Sequence, residues 1–405
     1  MNTSPKFEHI CVVGLGYIGL PTAALLANRG FQVHGMDIVP RVVDTINSGA
    51  IHIVEPELDT FVAAAVNSGK LKAATEAAPA DVFILAVPTP FHEGYQPNID
   101  YVIQATRSIA PFVREGNLVI LESTSPVGTT EKVAEVLAEE GIDIAKVFVA
   151  HCPERVLPGH VMQELIANDR VVGGVNARST EAAVAFYRKF VSGEVLATDA
   201  KTAELCKLVE NSYRDVNIAF ANELSMICET AGINVWDLIT LANRHPRVNI
   251  LKPGPGVGGH CIAVDPWFIV AAYPGQARII RAAREINDYK TEWVIERIKN
   301  EALSFELAIK RKPVIACLGL AFKPNIDDLR ESPALEIYKA LKQTDFKILP
   351  IEPNISSLEG DELYSKEYAI EHADILCFLV AHKEFNNLLN GKNLSLKTVL
   401  NFTGV

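Results

Sequence analysis

The chain lacks an excess of positive charge and any long apolar run. Its 38 Lys and Arg are outnumbered by 49 Asp and Glu, which gives a formal net charge of -11. No basic field exists to hold a nucleic acid or an anionic membrane, so we expect neither as a partner. No apolar run reaches the ~18 residues that span a bilayer. The start, MNTSPKFEHICVVGLG, has no basic region followed by an apolar core and a cleavage site, which predicts a cytoplasmic protein.

Cysteine and histidine patterns typical of disulfide frameworks and metal sites are also missing. The seven cysteines are odd in number, scattered and contain no CxxC pair, which argues against both a disulfide framework and a zinc site. The ten histidines form no HxxxH or HxH spacing. We therefore expect no metal, and we expect most cysteines to be reduced and buried.

The remaining sequence is that of an ordinary globular chain long enough for two or three domains. Its 405 residues are 49% hydrophobic and 21% charged. From residue 9 to about 198, short β-branched and apolar runs such as HICVVG, DVFILAVP and LVILES alternate with helical patterns. That alternation predicts βαβ units and a mostly parallel sheet.

The strand signals stop between about 200 and 300. Apolar residues recur near the helical period over 200–231, and further helical patterns lie near 235–243 and 277–303. A second alternating region starts at KPVIACLGLAF and continues through KILPIEP, ADILCFLV and TVLNF, which predicts another small α/β domain. The expected order is therefore α/β, all-helical, α/β. The two α/β regions could be distant structural repeats, although their sequences do not show it.

The first glycine cluster follows an apolar strand and opens a helix. CVVGLGYIGLPTAALLA places Gly14, Gly16 and Gly19 where a tight turn, close backbone approach and helix N–H groups can hold a pyrophosphate. Asp37 ends the next strand, where a carboxylate accepts hydrogen bonds from the adenosine ribose, which indicates NAD. The alternative is a glycine turn kept for packing, and Arg41 leaves NADP open.

Two further strand ends carry hydroxyl groups. Thr89 lies in AVPTP, and Ser123 with Thr124 lies in LESTSPVGTTEK. Ligands of open α/β sheets bind beyond the carboxyl ends of strands, so these hydroxyls could face cofactor or substrate. Ser and Thr at such positions equally cap the following helix, and GTTE in particular is typical of a cap. Both interpretations stay open.

One face of the predicted helix over 200–231 carries polar side chains in line. Lys207, Asn211 and Arg214 fall at i, i+4 and i+7. A solvated surface stripe is the usual explanation for such a pattern. The functional alternative gains weight from the cations and glycines that follow.

NRHPRVNILKPGPGVGGHC brings Arg244, His245, Arg247 and Lys252 close to glycines and to Cys261. Glycines allow a ligand to touch backbone, and Arg forks suit phosphates. Nearby cations favour the thiolate form of a cysteine and so its use as a nucleophile. The alternative is that Cys261 is a buried thiol beside a turn.

CPERVLPG adds a carboxylate at another strand end. Glu154 could act on a water molecule as a general base, or it could pair with Arg155. The residues by themselves therefore indicate an NAD-dependent dehydrogenase with a possible covalent cysteine.

Seven sequence motifs are spread over nearly the whole chain, in the order GLGYIGLP, VPTPF, ESTSPVG, CPERVLPG, CKLVENSYRDVNIAFANEL, GPGVGGHC and GLAFKPNIDDLRESP. They resemble the UDP-sugar 6-dehydrogenases of the UDP-glucose/GDP-mannose dehydrogenase family. The resemblance implies an N-terminal NAD-binding Rossmann domain (1–199), a central helical dimerisation and catalytic region (200–304) and a C-terminal Rossmann-like UDP-sugar domain (305–405).

The resemblance also implies a reaction. It is the NAD-dependent four-electron oxidation of a sugar C6 alcohol to a uronate, through a thiohemiacetal and a thioester on Cys261. The segments IHIVEPELD, ERVLPG and RHPRVNILKPGPGVGGHCIAVDPWFIV favour UDP-N-acetyl-D-mannosamine over UDP-N-acetylglucosamine and UDP-glucose. The product would serve bacterial surface polysaccharides such as enterobacterial common antigen, and the enzyme would be a homodimer or a dimer-based oligomer.

The resemblance assigns roles by position. Cys261 falls on the nucleophile and Lys207 on a general base or oxyanion stabiliser. Asn211 and Asp265 fall on residues that orient water and oxyanion, and Glu154 on the carboxylate linked to thioester hydrolysis. The residues implied to contact NAD, with Thr124 near the nicotinamide, are Gly14, Gly16, Tyr17, Ile18, Gly19, Asp37, Thr89, Thr124 and Arg330. Those implied to contact the UDP-sugar are Arg155, Val156, Lys207, Asn211, Arg214, His245, Arg247, Gly258, Phe322 and Lys323, with Arg247 reaching across a dimer interface.

The sequence departs from the family pattern at one contact. Related enzymes carry an acidic residue and then Lys or Arg before a glycine near the C-terminus, whereas LNFTGV offers Asn401 and Thr403. Two rival functions stay open: a two-electron dehydrogenase of the 6-phosphogluconate or hydroxyacid type, and an NAD-binding scaffold without turnover. Two NADH formed per sugar would exclude both.

Overall fold

The structure is a computed structural model that describes residues 7–259, 261–386, 388, 394 and 396–404. Contacts divide the chain into two compact units, Met1–Val209 and Glu210–Val405. This division falls inside a helix that runs from Ala200 to Ala231. The predicted three-part division at 199/200 and 304/305 stays a prediction.

The first unit is a doubly wound α/β domain. Its strands are β1 (His9–Val13), β2 (Gln32–Met36), β3 (Leu71–Ala74), β4 (Val82–Leu85), β5 (Phe91–His92), β6 (Gln96–Pro97), β7 (Leu118–Leu121), β8 (Phe148–His151), β9 (Arg170–Gly174) and β10 (Val195–Asp199). Its helices are α1 (Gly19–Asn28), α2 (Pro40–Asn47), α3 (Leu58–Asn67), α4 (Asp100–Ile109), α5 (Thr129–Glu139), α6 (Val161–Ala167) and α7 (Ala177–Tyr187).

Eight strands form one sheet in the order β10-β9-β8-β7-β4-β1-β2-β3, and β5 pairs with β6 in a separate hairpin. The pairs of the large sheet are parallel except for β8 with β9, which confirms the predicted mostly parallel sheet. Side chains along β1 alternate between two cores: Ile10 and Val12 pack on one face, and Cys11 and Val13 on the other. Because helices cover both faces, the central strands are apolar throughout.

Helix α8 (Ala200–Ala231) is 32 residues long and matches the predicted helical region. The helices that follow are α9 (Val235–Ala242), α10 (Asp265–Ala272), α11 (Arg278–Ile309), α12 (Pro333–Lys342) and α13 (Lys366–His372). The remaining strands are β11 (Val314–Leu318), β12 (Lys347–Ile351), β13 (Ile375–Phe378) and β14 (Thr398–Asn401). They form a parallel sheet in the order β12-β11-β13-β14, which confirms the second α/β region.

The first strand of each α/β region ends in the same hydrogen-bonded turn. The N–H of Gly14 donates to the carbonyl at the end of β2 (2.8 Å), and the N–H of Gly319 donates to the carbonyl at the end of β12 (2.8 Å). The next N–H in each case donates to a carboxylate, Asp37 in one region and Glu352 in the other. The two regions therefore share one local architecture that their sequences do not reveal.

Candidate active site

The turn between β1 and α1 uses its three glycines differently. Gly14 has a φ of +89°, and a Cβ there would lie 2.5 Å from the carbonyl oxygen of Ala86. A Cβ on Gly19 would lie 1.8 Å from the carbonyl oxygen of Gly14. A Cβ on Gly16 would meet no atom within 4 Å. Packing therefore requires two of the glycines, whereas Gly16 leaves open space in front of the helix N-terminus, as a pyrophosphate cradle needs.

Asp37 closes this cradle at the end of β2. Its carboxylate accepts hydrogen bonds from the N–H groups of Leu15 (3.0 Å) and Val39 (3.0 Å). The side chain remains half-exposed, so carboxylate lone pairs are still available to a ribose hydroxyl. Tyr17, in the loop before α1, is exposed. These residues fit a dinucleotide, and Ile18 and Gly19 lie at the start of the same helix.

The hydroxyl groups at the strand ends bind neighbouring backbone rather than capping helices. Thr89 donates to the carbonyl oxygen of Thr124 (2.6 Å), and Ser123 donates to that of Val87 (2.7 Å). Helix α5 begins without a side-chain cap, and the hydroxyl of Thr129 donates to Pro126 (2.6 Å). The prediction that GTTE is a helix cap is therefore wrong, because that hydroxyl turns back to the preceding loop.

Glu154 is buried just after β8. Its Oε2 accepts a hydrogen bond from Nη1 of Arg170 at 2.5 Å, and its Oε1 accepts one from the N–H of Arg155 at 2.7 Å. Both guanidinium and carboxylate are almost fully buried. The ion-pair partner is thus a strand residue sixteen positions away, which sequence spacing could not identify.

Ionisable side chains continue beneath Glu154. Glu122, fully buried at the end of β7, accepts a hydrogen bond from the hydroxyl of Tyr187 (2.7 Å). Burial, reinforced by the negative charge of Glu154, raises the pKa of Glu122 to about 7. Burial also lowers the pKa of His151 to about 3. Burial in this part of the sheet therefore favours the neutral forms of both Glu122 and His151.

In the second unit, three predicted residues form one small cluster. Cys261 is exposed. Its carbonyl oxygen accepts a hydrogen bond, 2.8 Å long, from the N–H of Asp265, the first residue of α10. Asn211, buried on α8, donates through Nδ2 to Oδ2 of Asp265 at 2.5 Å. The exposure of Cys261 contradicts the alternative of a buried thiol, and the burial of Asn211 contradicts a purely solvated helix stripe.

The other members of the stripe follow the predicted spacing on α8. Lys207 is half-buried and Arg214 is exposed.

None of the seven cysteines forms a disulfide, and five of them are buried, as expected. Cys261 is the exposed one. An exposed cysteine whose backbone binds Asp265, which itself binds the amide of Asn211, is an arrangement that can perform covalent chemistry.

The glycines before Cys261 pack closely against other segments of the second unit. A Cβ on Gly256 would lie 2.3 Å from Oγ1 of Thr291 on α11, and one on Gly258 would lie 2.2 Å from the carbonyl oxygen of Glu331. A Cβ on Gly259 would lie 2.9 Å from the ring of Phe322. These glycines are therefore needed for close packing against protein, and the contact between a ligand and this backbone stays a prediction.

The remaining predicted ligand residues of the second unit are surface side chains. His245 and Arg247 are exposed after α9, and the N–H of Arg247 donates to Nδ1 of His245 (3.3 Å). The ammonium of Lys323 lies 5.6 Å from the ring centroid of Phe322. Arg330 makes a bidentate ion pair with Asp328.

Family models for three successive domains match this chain. They are the NAD binding domain (residues 8–191), the central domain (201–289) and the UDP binding domain (316–402) of the UDP-glucose/GDP-mannose dehydrogenase family. The chain belongs to this family. It is therefore an NAD-dependent oxidoreductase, and the NAD cradle described above lies in the matched first domain.

Several relatives in this family are similar over nearly their whole length. The chain is 56% identical to an NDP-N-acetyl-D-galactosaminuronic acid dehydrogenase of Ralstonia nicotianae, covering 94% of this chain and 92% of the relative. It is 54% identical to the UDP-N-acetyl-D-mannosamine dehydrogenase of Escherichia coli K12, covering 99% of both. A solved structure of the UDP-N-acetyl-mannosamine dehydrogenase of Staphylococcus aureus is 40% identical, with a TM-score of 0.87 over 98% of this chain and 99% of that one.

The C-terminal departure from the family pattern has a defined structure. The N–H groups of Thr403 and Gly404 donate to Oδ1 of Asn401. Gly404 has a φ of +71°, and a Cβ there would lie 2.7 Å from the ring of Trp236. Asn401 therefore organises a tight turn that packs on α9. Thr403 lies in this turn, and its side chain carries no positive charge.

Sequence reasoning missed several residues around the site. Arg170, Asn222 and Thr291 all contact segments that carry predicted site residues. Arg170 opens the strand RVVGG and Thr291 lies inside a long helix, so no motif includes either of them. Asn222 lies inside the quoted motif CKLVENSYRDVNIAFANEL, but neither its spacing nor the resemblance gave it a role. Among the described residues, no helix is long and apolar enough to cross a membrane, and no His, Cys, Asp and Glu cluster could hold a metal.

Proposed function

We propose that this family member oxidises UDP-N-acetyl-D-mannosamine at C6 to UDP-N-acetyl-D-mannosaminuronate. The observation that carries the covalent mechanism is the cluster of exposed Cys261, buried Asp265 and buried Asn211. The sugar assignment is supported by relatives named for that substrate at 53–54% identity. The Ralstonia relatives, at 56%, favour a second candidate sugar, a nucleotide-linked N-acetylgalactosamine.

The overall reaction converts the alcohol, two NAD⁺ and one water into the carboxylate, two NADH and three protons. The C6 alcohol first loses a hydride and a proton to become an aldehyde. The sulfur of Cys261 then bonds to the aldehyde carbon, and a proton is taken up on oxygen, giving a thiohemiacetal. Loss of a second hydride and a proton gives a thioester. Water then breaks the S–C bond, which releases the uronate and regenerates the thiol.

The second oxidation explains why a cysteine is needed. The aldehyde carbon still carries one hydrogen, but losing it as hydride would leave an acylium ion. Once sulfur has added, an oxygen lone pair can form the new carbonyl bond as the hydride leaves. Asp265 and Asn211 stand beside the backbone of Cys261, and we propose that they orient the oxyanion and the water. Lys207 acts as a base or oxyanion stabiliser, and Glu154, whose carboxylate is paired with Arg170, orients the hydrolytic water.

When bound, NAD would supply the hydride acceptor for both oxidations. Its pyrophosphate would be held at the open space above Gly16, and its adenosine ribose at Asp37. Thr89 and Thr124 would serve the nicotinamide end, and the family resemblance adds Arg330.

The nucleotide sugar would use the cations and aromatic residues assigned by the resemblance. These are Arg155, Val156, Lys207, Asn211, Arg214, His245, Arg247, Gly258, Phe322 and Lys323. Thr403 stands where related enzymes offer a cation. We therefore expect weaker binding of the UDP moiety than in relatives that keep Lys or Arg there, and substitution Thr403→Lys should tighten it.

We further propose a homodimer built on α8. Tyr213, Phe220 and Ile227 lie seven residues apart and are 71%, 55% and 57% exposed, so they form one apolar seam along the helix. A second copy of the chain is the proposed occupant. Phe220→Glu should lower the mass measured by light scattering to that of a monomer. Val54→Glu, at an exposed site distant from α8 in the sequence, should leave the mass unchanged.

Replacement of the nucleophile tests the covalent mechanism. Cys261→Ser should bind NAD normally but stall before uronate release, because an oxygen ester is harder to form and hydrolyse than a thioester. Cys228→Ala, which changes a buried cysteine on α8, is the matched control and should turn over normally. Near-normal steady turnover by Cys261→Ser would remove the covalent role.

A further inference from the structure

A buried polar network joins α8 and α11 beneath the segment that leads to Cys261. Asn222 on α8 and Asn287 on α11 are both fully buried, and Nδ2 of Asn222 donates to Oδ1 of Asn287 at 2.8 Å. Nδ2 of Asn287 in turn donates to Oδ1 of Asp215 at 2.8 Å. Arg284 donates to the same oxygen at 2.7 Å. This network fixes the amide of Asn222 in one orientation, because its donor and acceptor ends cannot exchange.

The fixed end of Asn222 holds the glycine segment. The N–H of Gly254 donates to Oδ1 of Asn222 at 2.8 Å. The carbonyl of the next residue, Pro255, accepts a hydrogen bond from the hydroxyl of Thr291 on α11 at 3.0 Å. Two consecutive backbone groups are therefore anchored to two different helices. A segment held in this way cannot shift along either helix without breaking a partly buried hydrogen bond.

The same segment is held again close to the thiol. Gly258 and Gly259 lie against the backbone of Glu331 and the ring of Phe322, where even a Cβ would not fit. The carbonyl of Cys261 accepts the N–H of Asp265 at the start of α10. Only a few residues separate these contacts from the anchors at 254 and 255, so little freedom remains for the backbone that carries the sulfur.

We propose that Asn222 and Thr291 are positioning residues for Cys261, which hold its backbone where the thiol can add to the aldehyde. This inference rests on the proposed function. Neither residue touches the reacting atoms, so the first oxidation should not depend on them. Formation of the sulfur–carbon bond should, because misplacement of a reacting group by about 1 Å costs up to ~10²-fold in rate.

The cleanest variant is Thr291→Val. It keeps the branched shape in a site that is 5% exposed and removes the hydroxyl that binds Pro255. Thr291→Ser restores a hydroxyl and should recover most of the lost rate. Asn222→Ala removes both the oxygen that accepts the N–H of Gly254 and the amide that donates to Asn287. Ser304→Ala, which removes an exposed hydroxyl bound to its own helix at Asn300, is the matched control.

Two readouts separate positioning from folding. Hydrogen exchange of the peptide that contains 254–259 should accelerate roughly fivefold in Asn222→Ala and Thr291→Val, with peptides outside this segment, α8 and α11 unchanged. In single-turnover experiments, the first NADH should form within about twofold of the wild-type rate and the second at least ~10-fold more slowly. A carbonyl-trapping amine should then capture the aldehyde.

The outcomes are distinct. Unchanged exchange in the segment, equal slowing of both oxidations, or normal formation of the second NADH in the variants would each overturn the positioning role. Failure of Thr291→Ser to recover the second step would also count against it. A wild-type protein that forms only one NADH per sugar would instead refute the proposed function on which the inference rests.

Discussion

Substitution of two glycines in the NAD cradle should separate folding from cofactor binding. In Gly14→Ala, a φ of +89° strains an L-residue by ~1–2 kcal/mol. The new Cβ would also lie 2.5 Å from the carbonyl oxygen of Ala86, so the backbone must shift. Gly16→Ala meets no atom within 4 Å and has no left-handed φ. We therefore expect Gly14→Ala to lose at least ~2 kcal/mol of stability, and Gly16→Ala to lose less than ~0.5 kcal/mol.

The effect on NAD should be large in Gly16→Ala, because its methyl group enters the space proposed for the pyrophosphate. We expect its affinity for NAD to fall at least ~10-fold. Denaturant unfolding without NAD measures the first quantity, and NAD titration by protein fluorescence measures the second. Wild-type NAD affinity in Gly16→Ala, or wild-type stability in Gly14→Ala, would refute this division of roles.

Three further changes test buried charge and the helix stripe. The pKa of Glu122 is raised from 4.5 to about 7, so the folded state loses stability as pH rises through that window. The stability advantage of Glu122→Gln over the wild type, measured by denaturant unfolding, should therefore grow by ~2–3 kcal/mol between pH 5 and pH 8. A difference that stays constant with pH would contradict this. Asp215→Ala leaves the guanidinium of Arg284 without its buried partner at 2.7 Å and should cost ~3 kcal/mol; a loss below ~1 kcal/mol by the same method would contradict it. Lys207→Ala should lower turnover much more than NAD affinity, whereas equal losses would move Lys207 into the cofactor site.

The α/β regions were predictable because their strands are continuous apolar runs between helical patterns. The glycine turn of the first region, with Asp37 at the end of the next strand, also has a spacing that specifies its geometry. The corresponding turn at Gly319 was not predicted, because no glycine spacing marks it and its acidic partner Glu352 simply follows a strand. In the structure, Glu352 also binds the buried side chain of His382. Helix α10 was not predicted, because its eight residues, DPWFIVAA, are almost all apolar and so show no helical period.

The candidate site was predictable where chemistry depends on unusual residues at fixed positions, as for Cys261, Asp265 and Asn211. Partners that come from distant parts of the chain were not. Arg170 reaches Glu154 across neighbouring strands, and Asn222 reaches Gly254 from a helix. These contacts depend on how strands and helices pack, and a single sequence contains no spacing that encodes them.

The most direct test of the four-electron reaction is the yield of NADH at completion with limiting UDP-N-acetyl-D-mannosamine. Parallel reactions would use UDP-N-acetylgalactosamine, UDP-N-acetylglucosamine and UDP-glucose. We predict two NADH per molecule of UDP-N-acetyl-D-mannosamine, with uronate as the product. One NADH per sugar would contradict the covalent role of Cys261, and two NADH with UDP-N-acetylgalactosamine alone would keep the mechanism but overturn the sugar assignment.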